Sequence, residues 1–141
     1  MMKKSILILF ALFVAFSFAT SSIAGMTGKD FVKDAKTRIK EISLDEAKKE
    51  LDAGKAVFLD IRTAKEYKKG HLPKAVFMQR GLLEFKIAKK LPDKNAKVIV
   101  YCKTGGRSSL ATDTLKKMGY TDVVSMAGGW VAWAKAGYPA E

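Results

Sequence analysis

One segment concentrates residues that can do chemistry: Cys102-Lys103-Thr104-Gly105-Gly106-Arg107-Ser108. It follows the apolar run Val98-Ile99-Val100-Tyr101 and precedes a stretch with helical spacing at Ala111, Leu115 and Met118. Gly105 and Gly106 allow a tight curl, with positive φ where needed, so that successive backbone N–H groups converge on one point. A helix starting near Ser108 would add the positive end of its dipole, and Lys103 and Arg107 add charge. Together these residues form a cradle for an anion with a sulfur at its base. The same field is expected to favour the thiolate, the nucleophilic form, without a histidine partner. An inert buried cysteine would not require Gly-Gly-Arg behind it.

The rest of the composition narrows the chemistry. Cys102 is the only cysteine and His71 the only histidine in 141 residues. No internal disulfide or CxxC redox pair can form within one chain, and no zinc site of four cysteines, or of two cysteines and two histidines, can be assembled. The apolar run Ala56 to Leu59 leads into Asp60-Ile61-Arg62, a second group of polar residues at a strand end. Asp60 and Arg62 are expected to support the loop or to form an ion pair, with Asp60 as general base the weaker alternative. Glu66 completes a capping box with Thr63 and has Arg62 as a further candidate partner. His71, just after Gly70, reads as a turn histidine bonded to backbone. Trp130 and Trp133 read as core cover, with the pocket mouth as the lesser role.

These residues need a scaffold, and the patterning supplies one. Residues 25–40 are polar and basic, with Phe31, Ala35 and Ile39 at helical spacing, and read as a short helix or loosely docked arm. Ser43 to Glu46 is a capping box, after which Leu44, Ala47 and Leu51 line a helical face until Gly54. Thr63 opens a short helix that Gly70 stops, and Leu83, Ile87 and Leu91 mark another that ends at Pro92. The runs at 56–59, 76–78, 98–101 and 123–124 read as strands, the longer ones unalternating, as in strands buried on both faces. Residues 130–136 read as a last helix. Alternating strands and helices predict one α/β domain over 41–141 with a mostly parallel sheet. In such sheets ligands bind beyond the carboxyl ends of the strands, where both Asp60 and Cys102 fall.

The first 24 residues read as a targeting segment. Lys3 and Lys4 precede fourteen residues, Ile6 to Ala19, with only Ser17 polar, and Ser22-Ile23-Ala24 offers small residues for cleavage after Ala24. The expected destination is a bacterial periplasm or beyond; the alternative is an uncleaved anchor in the inner membrane. Removing 24 residues and two lysines from a chain of net charge +12 leaves 117 residues at +10. Export argues against nucleic acid as the reason for that charge, which suits small anionic ligands, solvated helix faces or an acidic membrane surface.

The cysteine segment resembles the active-site loop of the rhodanese family of sulfurtransferases. Leu59-Asp60-Ile61-Arg62, Glu66-Tyr67 and Gly70-His71-Leu72-Pro73 are similar to the family's first signature. Cys102 to Ser108, Gly119-Tyr120 and Ala127-Gly128-Gly129 with Trp133 are similar to its second. One departure is Pro73-Lys74-Ala75 where the family has Pro-Gly-Ala, so Lys74 must take up the turn under strain. The resemblance implies a five-stranded, mostly parallel sheet flanked by helices on both faces. It further implies a Cys102 persulfide held by the N–H groups of Lys103, Thr104, Gly105, Gly106 and Arg107, with Ser108, Asp60 and Arg62 in support. The expected donor is thiosulfate or a similar small anion, and the acceptor a thiol or cyanide. No cofactor or metal is implied, a monomer is expected, and a periplasmic protein partner is allowed for. Two other readings compete. A carrier without turnover would hand sulfur to one partner. A cysteine phosphatase or arsenate reductase would need five residues between Cys and Arg, whereas Lys103 to Gly106 gives four.

Overall fold

A computed structural model describes residues 25–141; the leader read at residues 1–24 lies outside the described residues. Five strands form one sheet: β1 (Glu41–Ile42), β2 (Val57–Asp60), β3 (Val76–Phe77), β4 (Val98–Tyr101) and β5 (Val123–Met126). Their order is β1-β5-β4-β2-β3, and every neighbouring pair is parallel. Six α-helices precede, connect or follow them: α1 (Gly28–Lys36), α2 (Leu44–Ala53), α3 (Ala64–Lys68), α4 (Leu83–Lys90), α5 (Gly106–Lys117) and α6 (Gly129–Lys135). This is the α/β architecture that the resemblance implies.

The unalternating apolar runs are explained by two cores, one on each face of the sheet. Successive side chains of a strand point to opposite faces. Val98 and Val100 therefore join Leu83 and Ile87 of α4 and Ala111 and Leu115 of α5. Ile99 and Tyr101 join Ala47 of α2 and Trp133 of α6. All four β4 residues are buried. Three helices begin in complete capping boxes, at Thr27, Ser43 and Thr63. Gly54, at φ 64°, ends α2.

The structure sharpens three of the readings made from the residues alone. The residues alone suggest four strands, and the fifth, β1, was implied only by the resemblance: it is two residues long with one buried side chain, too short to show periodicity. Of the two readings of residues 25–40 the short helix holds, as α1, but its inward side is Val32 and Ala35, while Phe31 is half exposed. Arg38, just past that helix, forks onto Asp113 of α5 with two 2.9 Å bonds. Finally, α5 starts at Gly106, two residues earlier than read, so Arg107 and Ser108 lie in its first turn.

The topology puts the two polar strand ends side by side. Asp60 of β2 is in register with Tyr101 of β4, and the Ile61 N–H donates to the Tyr101 carbonyl at 3.1 Å. Asp60-Ile61-Arg62 and Cys102 thus leave adjacent central strands at the same edge of the sheet.

Candidate active site

Between the end of β4 and the start of α5 only Cys102 to Gly105 remain as loop. Gly105 makes so short a connection feasible by taking φ 111°, which a side chain would resist. The turn swings the Gly105 N–H onto Cys102 Sγ at 3.1 Å. The thiol donates to Ser108 Oγ at 3.6 Å, and only 1% of Cys102 is exposed. Ser108 Oγ donates to the Gly105 carbonyl at 2.9 Å, as does Ser109 Oγ at 2.8 Å. Ser125 Oγ, buried on β5, donates to Ser108 Oγ at 3.0 Å. The sulfur therefore sits on a backbone amide and at the end of a hydroxyl chain.

A second helix terminus holds the far side of the loop. The Trp130 N–H donates to the Cys102 carbonyl at 2.8 Å, and the Val131 N–H donates to the Lys103 carbonyl at 3.0 Å. In trans peptides the N–H points opposite to the C=O, so the N–H groups of Lys103 and Thr104 are turned away from α6. The approach is close: a Cβ on Gly129 would stand 2.6 Å from the Cys102 carbonyl oxygen.

Beside this loop lies a cleft of about 240 Å³, lined by Arg62, Glu66, Lys69, Lys103 and Trp130. Arg62 is buried and forks onto Asp60 at 2.7–3.0 Å, with a further bond to the Gly70 carbonyl. Its guanidinium lies over the Trp130 ring, 4.7 Å from the centroid. Asp60 is engaged by this pair and accepts the Arg62 N–H as well, while the hydrogen-bond partners of the sulfur are Gly105 and Ser108. Burial pushes the neighbouring Tyr101 phenol up, and its oxygen accepts the Leu72 N–H.

Glu66 has a different partner from the one its position suggested. Instead of Arg62 it takes Arg107, by bonds of 3.1 and 2.8 Å, while its Oε2 also accepts from the Thr63 N–H and hydroxyl. The Arg107 bonds, aided by those from Thr63, outweigh burial and lower the Glu66 pKa to about 2.

The sequence-derived residues are therefore brought to one place, in unequal positions. Gly105 and Ser108 touch the sulfur; Lys103 and Thr104 are exposed on the loop. Gly106 packs towards Val32 of α1. The Arg107 side chain points to Glu66. His71 is built into a turn, with Nδ1 3.1 Å from the Tyr67 carbonyl and its ring stacked on Tyr67. Trp133 is core and Trp130 lines the cleft. Sequence reasoning missed Ser125, because the strand signal fades after Val124. It also assigned Gly129 no role.

Residues 43–136 match the family of rhodanese-like domains. YrkF of Bacillus subtilis, named as a sulfur carrier, is 33% identical over 107 residues, spanning 75% of this chain but only 57% of that one. A chloroplastic thiosulfate sulfurtransferase of Arabidopsis thaliana is 37% identical over 95 residues, covering 58% of this chain and 77% of that one. A Rhodopseudomonas palustris protein of known structure, described as a possible tyrosine phosphatase, aligns with a TM-score of 0.79 at 30% identity. That alignment covers 84% of this chain and 96% of the other.

Proposed function

We propose, from the premise that this chain belongs to the rhodanese-like family, that it transfers sulfur from thiosulfate or a similar anionic donor through a persulfide on Cys102. Sulfur handling is what the names of the Bacillus and Arabidopsis relatives have in common; donor and intermediate are our assignment. The observation that carries it is the 3.1 Å bond from the Gly105 N–H to Cys102 Sγ, at the carboxyl end of β4 and the start of α5.

In the first half-reaction the Cys102 thiolate attacks the outer sulfur of thiosulfate. An S–S bond forms to Cys102 as the bond to the sulfonate sulfur breaks, and sulfite leaves with the electron pair. The persulfide anion is held by the loop amides of residues 103–107. In the second, cyanide or a thiolate attacks that outer sulfur and regenerates the Cys102 thiolate. Two half-reactions through a covalent intermediate give ping-pong kinetics. Lys103 and Thr104, exposed at the loop, meet the donor; Asp60 and Arg62 brace the floor.

Cys102→Ser tests the reading: thiosulfate-dependent thiocyanate formation should fall to background, and intact-mass measurement should show no added sulfur after incubation with thiosulfate. Retained turnover would refute the assignment. The sulfur carrier name of the Bacillus relative favours one second reading, a dedicated carrier. It predicts that the loaded protein loses its sulfur only to a specific protein, and that cyanide and small thiols fail. Export through residues 1–24 belongs to the proposal and is checked by the N-terminal sequence of the protein recovered from its cells.

A further inference from the structure

The cradle carries an arginine that it does not use. Arg107 sits in the first turn of α5, five residues from Cys102 in sequence. A planar guanidinium is the group best shaped to grip a tetrahedral oxyanion through two bonds. Here both arms of that fork are occupied by Glu66. Glu66 is no loose surface partner, because the Thr63 N–H and hydroxyl fix its carboxylate as part of the α3 cap. The arginine that lines the cleft, Arg62, is committed to Asp60. The cations left for a ligand are Lys69 and Lys103, which make no ion pair among the described residues. They are single-point charges on flexible stems.

We infer that Glu66 is a specificity-determining residue, which withholds the Arg107 fork from the loop so that the site favours a singly charged sulfur over a tetrahedral oxyanion. Sulfate, phosphate and the sulfite product then find backbone amides and lysines but no bidentate clamp. For the proposed reaction, on which this consequence rests, the device keeps sulfite from lingering and leaves the cradle to the persulfide. It also separates this loop from one that would hold a phosphoryl group.

The test uses the single cysteine as its own reporter. Alkylation of Cys102 by iodoacetate and by iodoacetamide compares an anionic with a neutral reagent of similar size, and requires no turnover. Glu66→Gln keeps an oxygen for the Thr63 cap and releases Arg107. We expect the iodoacetate-to-iodoacetamide rate ratio to rise about threefold or more, from removing one negative charge near the sulfur. The thiosulfate KM should fall by a similar factor with kcat within about twofold, and sulfate should inhibit at correspondingly lower concentration. Glu66→Asp draws the carboxylate back from the guanidinium and should move the ratio the same way by less; it carries the test if the glutamine variant does not fold. A ratio unchanged or lowered overturns the inference. A wild-type protein that does not turn over thiosulfate, with the ratio rising as stated, would sink the donor assignment and leave the role of Glu66 standing.

Discussion

Lys74 is the only non-glycine residue with positive φ among the described residues, at 58°. The sequence already marked it, as the lysine standing where the resembling family has glycine. A left-handed lysine costs about 1–2 kcal/mol relative to glycine, partly offset by the greater freedom of glycine in the unfolded chain. Lys74→Gly is therefore expected to stabilise the fold by about 0.5–1 kcal/mol, read as a raised urea midpoint with unchanged slope. The bond from the Lys74 N–H to the Glu141 carboxylate does not depend on the lysine side chain. Other single residues were less legible for a physical reason. Ser108 could be flagged because it lies within the loop motif, but its neighbour Ser125 is brought to it by the β4–β5 pairing. Nothing local to Ser125 announces that contact. Glu66 already had an occupation in its capping box, which concealed its bond to a side chain 41 positions away.

At the scale of elements, the loop is a strand end gripped by two helix starts. The sequence showed one of them, since the glycines and the apolar spacing after Cys102 marked α5. The role of α6 was invisible, because its amides bind carbonyls of residues remote in the chain. Gly129 is the joint: its φ is 59°, and an added Cβ would meet the carbonyls of Cys102 and Lys103 at 2.6 and 2.8 Å. Those atoms are backbone and cannot swing aside. Gly129→Ala should thus cost about 2–4 kcal/mol, combining the left-handed penalty with overpacking. Sulfur transfer should fall about a hundredfold if the loop shifts by roughly 1 Å, although Cys102 is untouched. Thermal melts and turnover on the same preparation check both. Helix α1 shows the opposite limit of reading: its capping box at Thr27 was unread, and its true inner side is set by α5, which it packs across.

For the whole molecule, the net charge of +12, of which +10 lies in residues 25–141, is the property that acts furthest from the site. Its placement matters as much as its size. Lys29, Lys33 and Lys36 line a groove of about 520 Å³ between α1 and Gly106, while Lys69 and Lys103 line the cleft. Such a field raises the local concentration of a dianion, and salt screens it, with a Debye length of about 30 Å at 0.01 M and about 8 Å at 0.15 M. We expect kcat/KM for thiosulfate to fall about three- to tenfold over that range, while alkylation by neutral iodoacetamide stays flat. A flat thiosulfate profile would remove steering from the account. The burial of Cys102 has a further consequence. A disulfide between two copies would need their Cα atoms within about 7 Å, and a sulfur enclosed at the base of this loop cannot present itself so closely to a second body of equal bulk. The proposed persulfide would lengthen the side chain by about 2 Å, one S–S bond. On that proposal the empty protein is shielded from large thiols and the laden one extends its cargo to them, so the load itself would set what the protein can touch.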